Sequence, residues 1–313
     1  MNMTRNSRMF LVMNPSARSF QSRYQWPEIF DGLKRRKVDF DFALTEKEED
    51  PANLVRRAIE LGCDTVIAVG GDGTINEVIN GLYSGGSDQA KASLGVLYTG
   101  TSPDFCRNHG IPLDLESAMD LLVSGARRKV DVCRISHPVQ ADGLPVTRYF
   151  SSCANFGLGA AVARGANSGL RKTYGDVLGT LFSLCSAIVR YGSPSFKIRV
   201  DGAEIDLPKM YNLFIGKSRL VASGINLDID VAPDDGRLYV LPLCGVSKGR
   251  LLTLLPRAYT GSLPRRFPPI FARRVEILAW GDAPEVEYDG DPRGFLPADI
   301  RVLPRSLPLI RPG

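Results

Sequence analysis

Two rhythms of apolar and polar positions divide the chain. Up to Gly125, short apolar runs alternate with segments whose apolar residues recur every three or four positions. MFLVMNPSA (9–17), VDFDFALT (38–45), DTVIAVGG (64–71) and SLGVLYTG (93–100) read as buried strands. WPEIFDGLKRRK (26–37), DPANLVRRAIELG (50–62), TINEVINGLY (74–83) and LDLESAMDLLVSG (113–125) read as helices. The second helix is punctuated by Asp50 as N-cap, Pro51 at the first helical position and Gly62 as its stop. Four strand–helix alternations with short connections predict an α/β domain with a doubly wound parallel sheet. Such sheets bind ligands beyond the carboxyl ends of their strands. Asn14, Thr45, the Gly70–Thr74 turn and the Gly100–Thr101 turn all fall there.

Beyond about residue 130 the helical period thins out. Short β-rich runs follow, among them RKVDVCRISH (128–137), TRYFSSCANFG (147–157), SFKIRVDGAEI (195–205), KMYNLFIGKSR (209–219), RVEILAWG (274–281) and PEVEYDGD (284–291). Asp-Gly, PDDG and YDGDPRG punctuate them, which predicts an antiparallel β domain. One helical stretch, about Tyr174 to Tyr191, interrupts the pattern. Within it VLGTLFSLCSAIV is too short to span a bilayer and reads as a core helix.

The stretch VIAVGGDGTINEV (66–78) carries the clearest chemistry. A buried strand, a glycine turn and a helix start present backbone N–H groups to an anion. Glycine permits positive φ and close approach of a ligand. The plainer reading is a tight connection with Asp72 or Thr74 as N-cap. Familiar nucleotide signatures fail elsewhere. Gly216-Lys217-Ser218 has Tyr211 where a P-loop needs its first glycine, and GLGAAV from Gly157 puts Val162 at the third glycine of a dinucleotide fingerprint. There is no nucleophile elbow, and the two histidines suggest no triad or metal site. His137, before Pro138, reads as a turn residue. The remaining chemical candidates are carboxylates: Asp72, Asp104, Asp234, Asp235, Asp289 and Asp291.

Composition adds three constraints. The chain has 313 residues, 44% hydrophobic and 23% charged, which suits two globular domains. Six cysteines without a C-x-x-C pair read as buried free thiols in a reducing, cytoplasmic setting, and the N-terminal apolar run is too short for a secretion signal. The net charge of +5 is unevenly spread: Lys248 to Arg274 holds seven cationic side chains and no acid. Its stretch from Arg257 to Arg274 suits peripheral contact with an anionic membrane surface, or is simply a solvated face. Nothing points to nucleic acid, and a homodimer is left open.

The ordered set NPSA (14–17), VGGDGTINEV (69–78), GTSPDFCRNHGIP (100–112), NFGLGA (155–160), PDDGRL (233–238) and YDGD (288–291) resembles the diacylglycerol kinase catalytic-domain family, which includes soluble bacterial lipid kinases and relatives of sphingosine and ceramide kinases. The resemblance covers nearly the whole chain. GGDGT alone is shared with NAD kinases and 6-phosphofructokinases; the later GT-x-x-D-F and D-G-acid select the lipid kinases. It implies an ATP-binding, NAD-kinase/phosphofructokinase-like α/β domain at residues 1–130, with the tail 303–313 as a candidate addition, and a β-sandwich at 131–302. ATP contacts carry over to Asn14, Pro15, Thr45, Thr101 and the run Gly71, Asp72, Gly73, Thr74, Ile75, Asn76 and Glu77. Asp72 would organise Mg²⁺ and phosphates, Asp291 would be the base, and a structural Mg²⁺ would bind Asp235 with main-chain oxygens of Ala232 and Arg237. The implied reaction is transfer of the γ-phosphate to a lipid hydroxyl.

Four departures accompany the resemblance. Pro103 stands where the family has Asn, Asp291 where it has Glu, Tyr98 where it has Pro, and a glycine-rich run is reduced to Ala222-Ser223-Gly224. A catalytically degenerate nucleotide- or lipid-binding member is therefore the second reading. An NAD-kinase-like enzyme is the third, though it calls for a second Asn-Glu pair that the chain lacks beyond Asn76-Glu77.

Overall fold

The computed structural model describes residues 8–17, 21–45, 50–83, 86–140, 143–158, 188–189, 191–192, 194–221, 225–259, 261, 263–278, 285–288 and 291–313, with 255–259, 285 and 291–292 described by backbone alone. The chain divides into two compact units, Met1–Val132 with Leu303–Gly313, and Cys133–Val302.

In the first unit, strands β1 (Met9–Met13), β2 (Phe40–Leu44), β3 (Thr65–Gly70) and β4 (Ser93–Tyr98) pair in the order β2-β1-β3-β4, all parallel. Helices α1 (Trp26–Arg35), α2 (Pro51–Glu60), α3 (Asp72–Leu82), α4 (Asp104–His109) and α5 (Leu115–Ser124) complete it. The caps explain the boundaries. Asp50 accepts from Ala52 N at 3.0 Å, Asp114 accepts from Ser117 N at 2.8 Å, and Gly62 and Gly110 take the left-handed backbone that ends α2 and α4. Met9, Leu11 and Met13 of β1 meet Ile29 and Leu33 of α1 and Met119 and Leu122 of α5 in one apolar core. The short α4 was not read from the sequence.

Strand β5 (Ala126–Pro138) begins in the first unit and carries the chain into the second. It is followed by β6 (Pro145–Phe150), β7 (Cys153–Gly157), β8 (Phe196–Val200), β9 (Ala203–Leu207), β10 (Asn212–Gly216), the two-residue strands β11 (Leu220–Val221) and β12 (Ile225–Asn226), β13 (Leu238–Leu243), helices α6 (Lys248–Tyr259) and α7 (Leu263–Arg266), then β14 (Ile270–Ala272), β15 (Arg274–Ile277), β16 (Glu285–Tyr288), β17 (Asp291–Phe295) and β18 (Ala298–Arg311). One sheet runs β14-β13-β10-β7-β16-β17, antiparallel throughout. The other joins β9, β8, β15 and the first part of β18, also antiparallel. Leu309, near the end of β18, pairs in parallel with Leu94 of β4 in the first unit. Asp201 and Gly202, at φ 46° and 91°, make the tight β8–β9 turn that their Asp-Gly sequence calls for.

Side chains from both sheets fill a common core: Ile135, Phe150, Phe156, Ile198, Leu213, Val240, Val275, Val286 and Ile300. The six-stranded sheet is buried on its other face as well. Phe214, Tyr239 and Leu241 alternate with the core residues and pack with Leu251 and Leu254 of α6 and with Leu263 and Phe267. His137 is not a turn residue. It lies buried within β5, with Nδ1 3.0 Å from Pro138 O and Nε2 3.3 Å from the Tyr288 hydroxyl. Burial holds its imidazole below the ordinary value, so it stays neutral. The described cysteines are free thiols; Cys63, Cys106, Cys133 and Cys153 are buried and Cys244 half-buried, while Cys185 and most of the expected helix at 174–191 lie outside the described residues. Among the described residues no helix is long and apolar enough to cross a membrane.

Candidate active site

Four strand ends share one rim of the first unit. The parallel ladder continues beyond the strands: Asn14 N donates to Val69 O at 3.0 Å, Thr45 N to Met13 O at 2.9 Å, and Thr99 N to Gly70 O at 2.9 Å. This register sets Asn14, Thr45, the Gly70–Gly71 turn and the Gly100–Thr101 turn along the same edge.

Contact, rather than left-handed backbone, demands Gly70 and Gly100. Gly70, Gly71, Gly73 and Gly100 all avoid positive φ, which corrects one reason given for the turn. Gly71 is extended at φ −95° and ψ −172°. A Cβ on Gly70 would lie 2.3 Å from Thr74 Oγ1, and one on Gly100 would lie 2.5 Å from Gly71 Cα and 2.7 Å from the Tyr98 hydroxyl. The two glycine turns thus press backbone against backbone beside Tyr98. A Cβ on Gly73 would meet nothing within 4 Å, so the helix start is open to approach at that residue.

Helix α3 begins at Asp72 with Gly71 as N-cap, so neither Asp72 nor Thr74 is the cap. Its own ladder starts with Ile75 N donating to Gly71 O at 3.1 Å, and the N–H groups of Asp72, Gly73 and Thr74 precede it at the positive end of the helix. Asn14 Nδ2 donates to Thr74 Oγ1 at 3.0 Å, tying the exit of β1 to this first turn, and Pro15 O accepts from Arg23 Nε at 3.3 Å. Thr101 is exposed on the rim and Thr45 is half-buried. Ile75 is in the core, Asn76 is buried with its Oδ1 accepting from Asn80 Nδ2 at 3.2 Å, and Glu77 is half-buried. Those first two can offer a ligand on the rim little beyond backbone.

Asp72 Oδ2 accepts from Phe105 N at 3.3 Å, linking the glycine turn to α4. Pro103 is the N-cap of α4 and supplies no side-chain cap, and Asp104 behind it is buried. Burial, and then the Asp72 charge, pushes the Cys106 thiol up to about 12 and raises the Tyr98 hydroxyl as well. Both stay neutral.

In the second unit, the three oxygens assigned to a structural Mg²⁺ do converge, but on an ammonium. Lys217 Nζ donates to Asp235 Oδ1 at 2.5 Å, Arg237 O at 2.7 Å and Ala232 O at 2.8 Å. The oxygens of Asp235, Ala232 and Arg237 expected to hold a metal are thus each already hydrogen-bonded to Lys217. Burial pushes the Asp235 carboxyl up, but the bonds from Lys217 and Arg237 outweigh it and hold the group below its ordinary value. Among the described residues no cluster of three or more His, Cys, Asp or Glu side chains is placed to hold a metal.

Asp291 opens β17 opposite Tyr288; its side chain, with Asp289, Gly290 and the Ala222–Gly224 run, lies outside the described residues. Two features escaped the sequence reading. Lys217 was weighed only as a failed P-loop lysine. Glu287 is buried in β16, where Asn155 Nδ2 donates to its Oε2 at 2.5 Å and Asn212 Nδ2 donates to Asn155 Oδ1 at 3.1 Å. The alternation of PEVEY does place Glu287 away from Val286 and Tyr288, but a sheet buried on both faces leaves that side without water.

The comparisons agree with this architecture. The family described as "Diacylglycerol kinase catalytic domain" matches residues 8–135, and "YegS C-terminal NAD kinase beta sandwich-like domain" matches residues 152–311. A protein named diacylglycerol kinase from Staphylococcus aureus (strain MRSA252) is 26% identical over 306 residues, covering 97% of this chain and 92% of that one. A crystal structure of a diacylglycerol kinase from Bacillus anthracis str. Sterne superposes with a TM-score of 0.75 at 21% identity, over 98% of each chain. Yeast NADH kinase complexed with NADH shares the fold more distantly, with a TM-score of 0.57 at 11% identity over 98% of this chain and 83% of that one. The chain belongs to the diacylglycerol kinase catalytic-domain family and is a kinase.

Proposed function

We propose that the chain transfers the γ-phosphate of ATP to the hydroxyl of a lipid, with a diacylglycerol as the acceptor class that its relatives' names indicate. The observation that carries this reading is the open start of α3 at Gly73, beside two glycine turns packed too tightly for any side chain at Gly100. In this reading the N–H groups of α3 and the Thr74 hydroxyl hold phosphate oxygens, and Asn14 keeps Thr74 in place. Thr45 and Thr101 supply further hydroxyls along the rim. Mg²⁺ arrives with the nucleotide, and Asp72 is the hard oxygen donor on this rim suited to it, where the ion would neutralise phosphate charge.

The lipid hydroxyl oxygen attacks the γ-phosphorus, the bond to the β–γ bridging oxygen breaks, and ADP leaves. Asp291 takes the hydroxyl proton, a role resting on its place in the D-G-acid motif. Alignment and charge stabilisation supply most of the acceleration in such a transfer.

Transfer of labelled γ-phosphate from ATP to a mixed lipid extract tests this. A labelled lipid is expected with wild type and not with Asp72→Asn. ATP binding without any labelled product would instead favour the degenerate reading, for which Pro103, a cap without a side-chain donor, is the structural support.

The reading includes a cytoplasmic protein that visits anionic membrane, supported by its free thiols and its basic stretch. Arg274 is engaged by Asp299 at 2.9 Å and Glu276 at 2.7 Å, so the lipid-facing role falls on the exposed Arg265, Arg266 and Arg273. Replacing these three with Gln is expected to weaken sedimentation with phosphatidylglycerol vesicles about tenfold or more. Unchanged sedimentation would remove membrane contact from this surface.

A further inference from the structure

We propose that the Lys217 ammonium is a built-in cation that closes the Val231–Arg237 turn, and that this turn takes no divalent ion.

Lys217 follows β10 and is fixed from behind: its N donates to Ser152 O at 2.9 Å, and the next residue, Ser218, accepts at its O from the buried Tyr239 hydroxyl at 3.0 Å. Its side chain is only 3% exposed. An ammonium has three N–H donors, and Asp235 Oδ1, Arg237 O and Ala232 O take three bonds at 2.5–2.8 Å. Asp235 is saturated in turn. Beside Lys217 it accepts from Arg237 N at 3.1 Å on Oδ1, and from Ala232 N at 3.2 Å and Arg237 Nε at 3.1 Å on Oδ2. Those four bonds fill the four lone-pair sites of a carboxylate. Arg237 is itself held over the Phe271 ring, 4.5 Å from its centroid.

Charge leads to the same conclusion. The Asp235 carboxylate already faces an ammonium and a guanidinium, so a divalent ion would have to approach its oxygens past two fixed cations. It would also need the oxygens that Lys217 holds, at about 2.0–2.1 Å for Mg²⁺. The turn therefore keeps its shape whatever the free metal concentration. Metal dependence, if the proposed phosphoryl transfer holds, is then confined to the nucleotide; the inference about Lys217 itself does not rest on that reading.

The test uses the full chain without nucleotide. Mn²⁺ binding is followed by electron paramagnetic resonance, and melting is followed in EDTA and in Mg²⁺. Wild type is expected to melt at the same temperature in both, and any Mn²⁺ it binds should be unaffected by Asp235→Asn. Lys217→Ala empties a cage of three hard oxygens, so it should melt about 5–10 °C lower in EDTA and gain a divalent-ion site that restores the loss. Ca²⁺, with bonds of about 2.3–2.6 Å, comes nearest the present spacing. A wild-type Mn²⁺ site abolished by Asp235→Asn but kept in Asp72→Asn would overturn the proposal. The wild-type melts decide independently if Lys217→Ala does not fold: equal melting in EDTA and Mg²⁺ supports the lysine, and a rise of several degrees in Mg²⁺ that Asp72→Asn retains refutes it.

Discussion

Two carboxylates, one in each unit, sit in turns that lead into regular structure, and their surroundings part them. Asp72 begins α3 on a rim of tightly packed glycines, and its recorded bond to Phe105 N is long, at 3.3 Å. Asp235 lies in the turn before β13, gripped at 2.5 Å by Lys217 and bonded by Arg237 through both side chain and backbone. In the proposed reaction the first meets the charge that arrives with the nucleotide; the second already faces an ammonium and a guanidinium of its own chain. A carboxylate in a family motif is thus a candidate ligand only until the structure shows which cations its own chain has brought to it.

The sharpest test of that contrast replaces one carboxylate oxygen with an amide nitrogen at both places. Asp72→Asn should lower phosphoryl transfer by about 10²-fold or more while moving the melting temperature by no more than about 3 °C. Asp235→Asn should do the reverse. Removing one partner of a buried pair costs about 3 kcal/mol, so melting falls while turnover per folded molecule holds. Activity lost by Asp235→Asn at unchanged melting temperature would break the comparison and return Asp235 to the chemistry.

The glycines refine the picture of the rim. Gly100→Ala puts a methyl 2.5 Å from Gly71 Cα, a backbone atom that cannot swing aside. Overpacking of this kind costs about 1–3 kcal/mol, readable as a shift in the urea midpoint. Gly73→Ala meets open space and should leave stability within about 1 kcal/mol of wild type, since alanine is the better helix former. Its effect belongs in ATP affinity, weakened about tenfold if phosphate approaches the backbone there. Equal ATP affinity in Gly73→Ala and wild type would move the nucleotide off this helix start.

What the sequence made legible follows from how local each signal is. The alternation in the first unit was readable because β1, β3 and β4 are fully buried runs and because Asp50 and Gly62 mark the ends of α2 by chemistry within a few residues. The six-residue α4, opened by Pro103, has too few turns to show a period. His137 was misread from its neighbour Pro138, whereas its surroundings are set by Tyr288, far along the chain. The same holds for the site. Asn14, Thr45 and the two glycine turns could be placed on one rim from strand ends alone. The glycines' purpose could not, because the clash that excludes a side chain at Gly100 lies with Gly71. Lys217 could not be assigned either, since its three acceptors come from a turn 15 to 20 residues later.

The smallest effect concerns pH, and it separates two ways the second unit stabilises polar side chains. His137 is buried and neutral, its folded value depressed first by burial and further by Arg148 despite the bond to Pro138 O. Its contribution to stability is complete above the ordinary histidine value near 6.5 and is lost as pH falls through its lower folded value, because only the unfolded chain takes up the proton. Asp235 is half-buried and charged; despite that burial, its bonds from Lys217 and Arg237 hold it below the ordinary carboxylate value. Its contribution is complete above that value and is lost only as pH falls through the lower folded one. Acid should therefore weaken the unit in two windows, the first opening as pH falls below the ordinary histidine value near 6.5 and the second below the carboxylate range. His137→Gln, which keeps a side-chain hydrogen-bond donor and removes the titration, should flatten the first window in a series of melts and leave the second unchanged. A first window that survives the substitution would mean that His137 is not its source.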